Sequence, residues 1–388
     1  MQALSSHIVP APSAIERSAS FASLGLLAME GGAVHRGRLR AAARPAEGDL
    51  IFTTAATGWG EIVTDPSYAG QVVVLTHPMA GNYRIARGEL ESAAVHVRAL
   101  VVTRLVTPPP GPGVSLEELL AEAGVPVLEG VDTRALTLQL RLGAARRAVI
   151  VPDDGARSTE ADAVAAAGAI RSWESVDHVA AVATHRRYDV APTAGPRGRA
   201  VLVDYGVKRS LLRALTDRGL AITVLPPDAT AADIRSHPAD LLVLSPGPGD
   251  PSRMAPQIGV VAELAQAALA GGPPILGICL GHQLLALATG AGTRRLAVGH
   301  HGGNHAVLES VTGRVDIGAH NHEVEVGDDP ALAAAGYRVS HRDLNDGTVE
   351  GLVHRSGRIV SVQFHPEGAP GPIDGERVLD IALQRGPA

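Results

Sequence analysis

The single cysteine of the chain, Cys279, stands in Gly277-Ile278-Cys279-Leu280-Gly281, after the apolar run Ile275–Ile278 and before a helical run over Leu284–Ala288. A buried strand, a tight Gly-x-Cys-x-Gly turn and a helix make the plan of a nucleophile elbow, which lifts the central side chain above a sheet edge. The following helix aims its N-terminal N–H groups and positive dipole end at the sulfur, which favours thiolate. A small inert core cysteine is the bland counterpart. The two flanking glycines and the strand-to-helix switch favour the nucleophile.

A thiolate attacking a carbonyl needs a base, a group to orient the base, and an oxyanion hole. The strand-like run Ile359–Phe364 ends at His365-Pro366-Glu367. His365 is placed to act as general base, Pro366 stiffens the turn, and Glu367 can orient the imidazole. Ser245-Pro246-Gly247-Pro248-Gly249-Asp250-Pro251 follows another buried run. Its glycines let backbone N–H groups approach a ligand closely, and with the N–H of Leu280 they can bind an oxyanion. Taken singly, the first is an ordinary surface His–Glu turn and the second a Pro/Gly loop. Three such features at strand ends of one domain are far more specific.

The elements that would carry them follow a regular alternation from Arg199 onward. Strands are predicted at 200–204, 221–225, 240–244 and 275–278, with helices at 208–218, 230–236 and 256–270 between them. This argues for an α/β fold, a mostly parallel sheet flanked by helices with functional loops at the carboxyl ends of its strands. The first half reads differently. Strands are expected at Leu24–Met29, Val34–Leu39, Asp49–Thr53, Gln71–Thr76 and Ala99–Thr103, with helices capped by Ser115 and Asp132, a β-rich α/β domain. The expected organisation is a loose tail over 1–20, an N-terminal domain over 21–190, a Pro/Gly linker over 191–198, and a C-terminal domain over 199–388.

The 388 residues suffice for two or three domains. Hydrophobic content of 45% and a net charge of -6 without a large basic block speak against nucleic acid as a partner. No apolar run reaches membrane-spanning length, the first twenty residues do not read as a secretion signal, and one cysteine makes no internal disulfide. A cytoplasmic protein is the expectation. Arginine greatly outnumbers lysine, Lys208 being the only one. The sixteen histidines gather around His300, His301, His305, His320 and His322. With no second cysteine and no His-x-x-x-His on a clear helix, they read as surface or supporting residues, and no metal is expected.

Cys279, His365 and Glu367 in this setting resemble the triad of the class I glutamine amidotransferases. The resemblance implies attack on a glutamine side-chain amide, a glutamyl thioester and release of ammonia. It extends further. Thr57-Gly58-Trp59-Gly60-Glu61-Ile62-Val63-Thr64-Asp65-Pro66-Ser67-Tyr68, Gly81-Asn82-Tyr83, Gly130-Val131-Asp132-Thr133-Arg134, Asp204-Tyr205-Gly206-Val207-Lys208-Arg209 and Asn345-Asp346-Gly347-Thr348 are similar to the small-subunit family of carbamoyl-phosphate synthetase, from about residue 22 to the C-terminus. That family implies a large-subunit partner that uses ATP and Mg, with no cofactor in this chain, and a product for arginine and pyrimidine biosynthesis. It also implies glutamine contacts at Gly247, Gly249, Leu280, Gln283 and Asn321, together with three altered positions. Ala55 stands where a serine is expected to touch glutamine across the domain boundary, and Glu323 and Val324 replace a Gly-Phe pair. A carboxylate at Glu323 beside a zwitterionic substrate is expected to weaken affinity. Two other readings stand beside this one: an amidotransferase of the anthranilate synthase type, towards which Pro246 leans, and a non-catalytic glutamine-binding paralogue.

Overall fold

Seven strands of the first half close on themselves. The computed structural model describes residues 23–143, 145–153 and 159–384, so the expected tail over 1–20 lies outside the described residues. The barrel comprises β1 (Leu24–Met29), β2 (Val34–Arg40), β3 (Ala46–Thr53), β4 (Gln71–Leu75), β5 (Ala99–Val102), β6 (Val127–Glu129) and β7 (Arg147–Pro152), in the order β1-β2-β6-β5-β4-β3-β7. Alternation along each strand builds two clusters at once. Val72 and Val74 meet Leu27, Leu39, Leu50, Leu128 and Ile150. Val73 and Leu75 turn the other way, towards Trp59, Ile62, Leu116 and Leu120. Both faces are covered, which is why these strands read as unbroken apolar runs. The helices begin at the expected caps. Ser115 accepts from Glu118 N–H ahead of Leu116–Glu122, and Asp132 accepts from Ala135 N–H ahead of Thr133–Arg141.

The second half forms a ten-stranded sheet from β8 (Tyr188–Val190), β9 (Gly198–Val203), β10 (Leu220–Leu225), β11 (Leu241–Leu244), β12 (Ile275–Ile278), β13 (Thr293–Glu309), β14 (Val315–Val326), β15 (Tyr337–Asp343), β16 (Val349–His354) and β17 (Ile359–Val362). Its order is β14-β13-β15-β16-β17-β12-β11-β9-β10-β8. The centre, from β17 through β12, β11 and β9 to β10, is parallel, with apolar helix faces on both sides. The outer strands pair antiparallel, β8 on one edge and β13–β16 as a wing on the other. The wing was not anticipated. Its strands carry Gly-Gly and closely spaced histidines instead of an apolar alternation.

Two registers position the site. β12 lies beside β17 with Gly277 opposite Ser361 and Ile278 opposite Val362, so the elbow and the β17 terminus meet at one sheet end. His365 N–H then donates to Ala319 O at 2.8 Å, tying the end of that run to β14. The barrel closes over this end. Thr54 N–H donates to His301 O, and Asn321 Nδ2 donates to Asp65 Oδ2 at 3.0 Å.

Candidate active site

Cys279 sits between β12 and the Leu280–Ala288 helix at φ 51° and ψ -103°. A non-glycine residue there is strained and persists only where its surroundings hold it. The Cys279 N–H donates to Val362 O at 2.8 Å, and the glycines remove the clashes the turn would otherwise make. A Cβ on Gly281 would stand 2.3 Å from Leu244 O, and one on Gly277 would stand 2.6 Å from Leu285 Cδ1. The sulfur is almost fully buried, receives a hydrogen bond from Gln363 Nε2 at 3.5 Å, and lies 3.9 Å from Asn321 O.

His365 Nδ1 donates to Glu367 Oε1 at 2.8 Å. Its Nε2 is buried without a hydrogen-bond partner at bonding distance, and the Cys279 thiol is near enough to favour the protonated ring. Burial opposes charge on this ring. The Glu367 carboxylate more than reverses that and, with the thiol, raises the His365 pKa to about 10, against the pull of Lys208. Burial likewise opposes charge on Glu367, but His365 and Lys208 together hold its carboxyl below the ordinary value. Lys208 is 2% exposed, donates from Nζ to Gly368 O at 2.8 Å, and lies 3.6 Å from Glu367 Oε1. The chain's one lysine is thus a buried counter-charge for the Glu367 carboxylate. Its burial was not legible from a residue type that is usually exposed.

The cleft at Cys279 is lined by Gly247, Gly249, Gln283, Asn321, Glu323 and Val324 among the expected residues. Leu280 supplies the first N–H of the helix, one of the donors a helix start leaves free. Gly247 is required by close approach, since a Cβ there would stand 2.2 Å from Tyr205 O. Gln283 Nε2 donates to Val324 O at 2.7 Å and to Gln363 Oε1 at 3.1 Å, linking the helix to β14 and to the residue that contacts the sulfur. In this conformation the cleft has room for about one water, about 20 Å³. A roomier cleft of about 480 Å³ shares the Pro248–Gly249 turn but is not lined by Cys279.

Several expectations require correction. Ala55 does not line the Cys279 cleft. It packs in the barrel-side cluster with Trp59 and Ile62. The barrel reaches the cleft instead through Ser67 and Gln71, whose Oγ and Oε1 are buried without partners. Asp65 accepts from Ser67 N–H at 2.9 Å and fixes that turn. In sequence, Asp65-Pro66-Ser67 signals the turn itself, an Asx-type start. The histidines are not surface residues either. His300, His301, His320 and His322 are all buried, on the unanticipated wing.

Glu323 lines the cleft, but its carboxylate is fully engaged. It accepts from His301 Nε2 at 2.7 Å and from Arg295 at 3.1 Å, and it pairs with Arg146 of the barrel side. Burial alone would raise its pKa; His301, Arg146 and Arg295 bring it down to about 2. Arg295 also pairs with Asp49 and Glu174 and lies 5.7 Å over the Trp173 ring. The added carboxylate is therefore one member of an ion-pair clamp between barrel and sheet, with its charge balanced inside the protein.

The elbow, the His–Glu pair and the glycine loop together define a class. Residues 201–384 match the family described as glutamine amidotransferase class-I, and the chain carries a domain of that class. Residues 27–150 match the family described as carbamoyl-phosphate synthase small chain, CPSase domain. Among curated proteins, the chain is 39% identical over 362 residues to a "Carbamoyl phosphate synthase small chain" of Nitratidesulfovibrio vulgaris, covering 90% of this chain and 94% of that one. It is 41% identical to proteins of the same name from Symbiobacterium thermophilum and Methanopyrus kandleri, covering 92% of this chain in each case and 96% and 97% of theirs. The chain belongs to the carbamoyl phosphate synthase small chain family. No helix among the described residues is long and apolar enough to cross a membrane.

Proposed function

We propose that this chain hydrolyses L-glutamine and passes the ammonia to a large, ATP-using carbamoyl-phosphate synthetase subunit, whose product serves arginine and pyrimidine biosynthesis. The observation that carries the reading is the strained Cys279 elbow facing the free Nε2 of a ring whose Nδ1 is held by Glu367. The Cys279 thiolate attacks the side-chain amide carbon, and the N–H groups of Gly247 and Leu280 receive the oxyanion. His365 gives its Nε2 proton to the departing ammonia, leaving a glutamyl thioester. It then takes a proton from the water that releases glutamate. Glu367 keeps the ring in register, and Lys208 keeps Glu367 ionised. Because the cleft is closed, glutamine enters when the barrel-side wall at Ser67, Gln71 and Trp173 moves away from β14. ATP and Mg act on the large subunit, and none is assigned to this chain.

An amidotransferase of the anthranilate synthase type has only Pro246 in its favour, and the match over residues 27–150 weighs against it. The non-catalytic alternative loses its main support, since the Glu323 charge is balanced by arginines. The test is Cys279→Ala in complex with the large subunit. Glutamine-dependent carbamoyl phosphate formation should fall by about 10⁴-fold or more, while formation from added ammonia persists. Equal loss with both nitrogen sources, or no loss with glutamine, would overturn the assignment.

A further inference from the structure

On the far side of β14 from Glu323, three imidazoles surround one carboxylate. His320 and His322 share a face two residues apart on β14, His300 on β13 lies opposite His322, and Glu350 comes from β16. All four are buried, Glu350 completely. His320 Nε2 is 2.9 Å from Glu350 Oε2, while His300 Nδ1 and His322 Nε2 are 3.7 and 3.8 Å from Glu350 Oε1.

The other nitrogen of each ring fixes where its proton must be. His322 Nδ1 donates to Val324 O at 3.0 Å, His320 Nδ1 donates to Gly318 O at 3.2 Å, and His300 Nε2 donates to Asp346 Oδ2 at 2.8 Å. Carbonyl and carboxylate oxygens only accept, so in each neutral ring the inward nitrogen carries a lone pair. Three lone pairs then face an anion in a buried space. A proton on His320 Nε2 satisfies that ring alone, through its 2.9 Å hydrogen bond to Glu350 Oε2. Protonating all three rings gathers three positive charges about one carboxylate. Protons on His300 Nδ1 and His322 Nε2 would also find no acceptor at hydrogen-bond distance, and both atoms are unpartnered.

We infer that His300, His320, His322 and Glu350 form a structural site for one divalent transition metal of the zinc class. One ligand atom from each residue lies within 4.8 Å of all the others. A tetrahedral ion with bonds of about 2.0 Å needs about 3.3 Å between ligand atoms, and the three distances to Glu350 bracket that spacing. Outward hydrogen bonds from ligating histidines to carbonyls and a carboxylate are the orientation that metal ligation requires. Four protein ligands close the shell, so the ion has no open position and takes no part in hydrolysis. It pins the β13–β14 hairpin to β16 and so backs the strand that presents Asn321 and Val324 to the cleft. An overlapping group of His300, His305, His320 and Asp343 shares two of the histidines and is not filled simultaneously. There His305 Nδ1 already donates to Asp343 Oδ2 at 2.8 Å, and neither unshared member carries a fully buried nitrogen without a partner.

The inference does not depend on the glutamine reading, and its test reads metal instead of turnover. The untagged full chain, purified without chelator, is analysed by plasma mass spectrometry. It is then stripped and titrated with Co²⁺ alone. About one zinc per chain and the intense visible bands of tetrahedral Co²⁺ are expected. His322→Gln and Glu350→Gln should each weaken Co²⁺ affinity at least tenfold, and Cys279→Ala should leave it unchanged. If either ligand variant fails to fold, the unaltered chain decides by its stoichiometry and spectrum. No retained metal together with weak octahedral Co²⁺ bands, or Co²⁺ binding that survives both ligand variants or is lost with Cys279, would overturn the site.

Discussion

Two groups of buried histidines and carboxylates lie on either side of the sheet end built by β14, and they are completed in different ways. At Cys279 every charge has its counterpart in the chain. His365 and Glu367 are 2.8 Å apart, Lys208 backs Glu367, and the two unpartnered atoms are His365 Nε2, near the thiol, and Glu367 Oε2. At Glu350 three rings compete for one carboxylate, and two of their nitrogens are left without partners. The first arrangement is ready to move a proton. The second is the arrangement inferred above to take a divalent cation. The same residue types thus serve different chemistry according to whether the protein supplies the balancing charge itself.

The largest expected effect tests the self-balanced half. Glu367→Gln keeps the shape and removes the charge, so glutaminase activity should fall by about 10²- to 10⁴-fold. His365 should also lose its raised pKa of about 10 and titrate much nearer its ordinary 6.5, which an NMR titration of the ring reads directly. The linkage has a definite sign. A raised histidine pKa contributes stability that is whole below about 6.5 and is lost as pH rises through about 10. The lowered Glu367 carboxyl contributes above its ordinary 4.5 and loses that contribution on acidification through its lower folded value. Thermal melts against pH should therefore show an alkaline loss that moves to lower pH in Glu367→Gln. An unmoved profile would separate His365 from Glu367.

A middle-sized effect concerns the clamp. Glu323→Gly restores the small residue the family resemblance calls for and strips Arg146 and Arg295 of a buried partner. Denaturant melts should show a loss of about 3–5 kcal/mol, with no improvement in the KM for glutamine. A lower KM with stability intact would mean that the carboxylate obstructs the substrate after all. The smallest effects separate two hydroxyl positions. Ser67→Ala should raise the KM by about 2- to 12-fold, the equivalent of one hydrogen bond of about 0.5–1.5 kcal/mol. Ala55→Ser, outside the cleft, should change it by less than about twofold. Reversal of that order would return the contact to Ala55.

The sequence was most informative where local geometry and chemistry coincide. The elbow was legible because only a strand, two glycines and a helix start place a cysteine at positive φ, and the βαβ alternation was legible from its buried runs. Barrel closure was not, because β6 and β7 pair with distant strands and β6 is only three residues long. The wing escaped because β13 and β14 are cross-strand structures whose register brings His300 opposite His322, a proximity no linear spacing displays. Ser67 lines the Cys279 cleft without a sequence signal for it, because Asp65-Pro66-Ser67 reads as a structural turn. The burial of Lys208 was not legible, because its place before a helix start does not show that the chain folds it under the glycine turn that follows Glu367.

The most direct test of the central claim is a rapid acid quench of the chain during glutamine turnover, followed by mass spectrometry of the Cys279 peptide. A glutamyl adduct on Cys279 that decays with the rate of glutamate release, and that no other residue carries, is the predicted result. Steady ammonia release with no adduct on that sulfur, or with the adduct elsewhere, would contradict it.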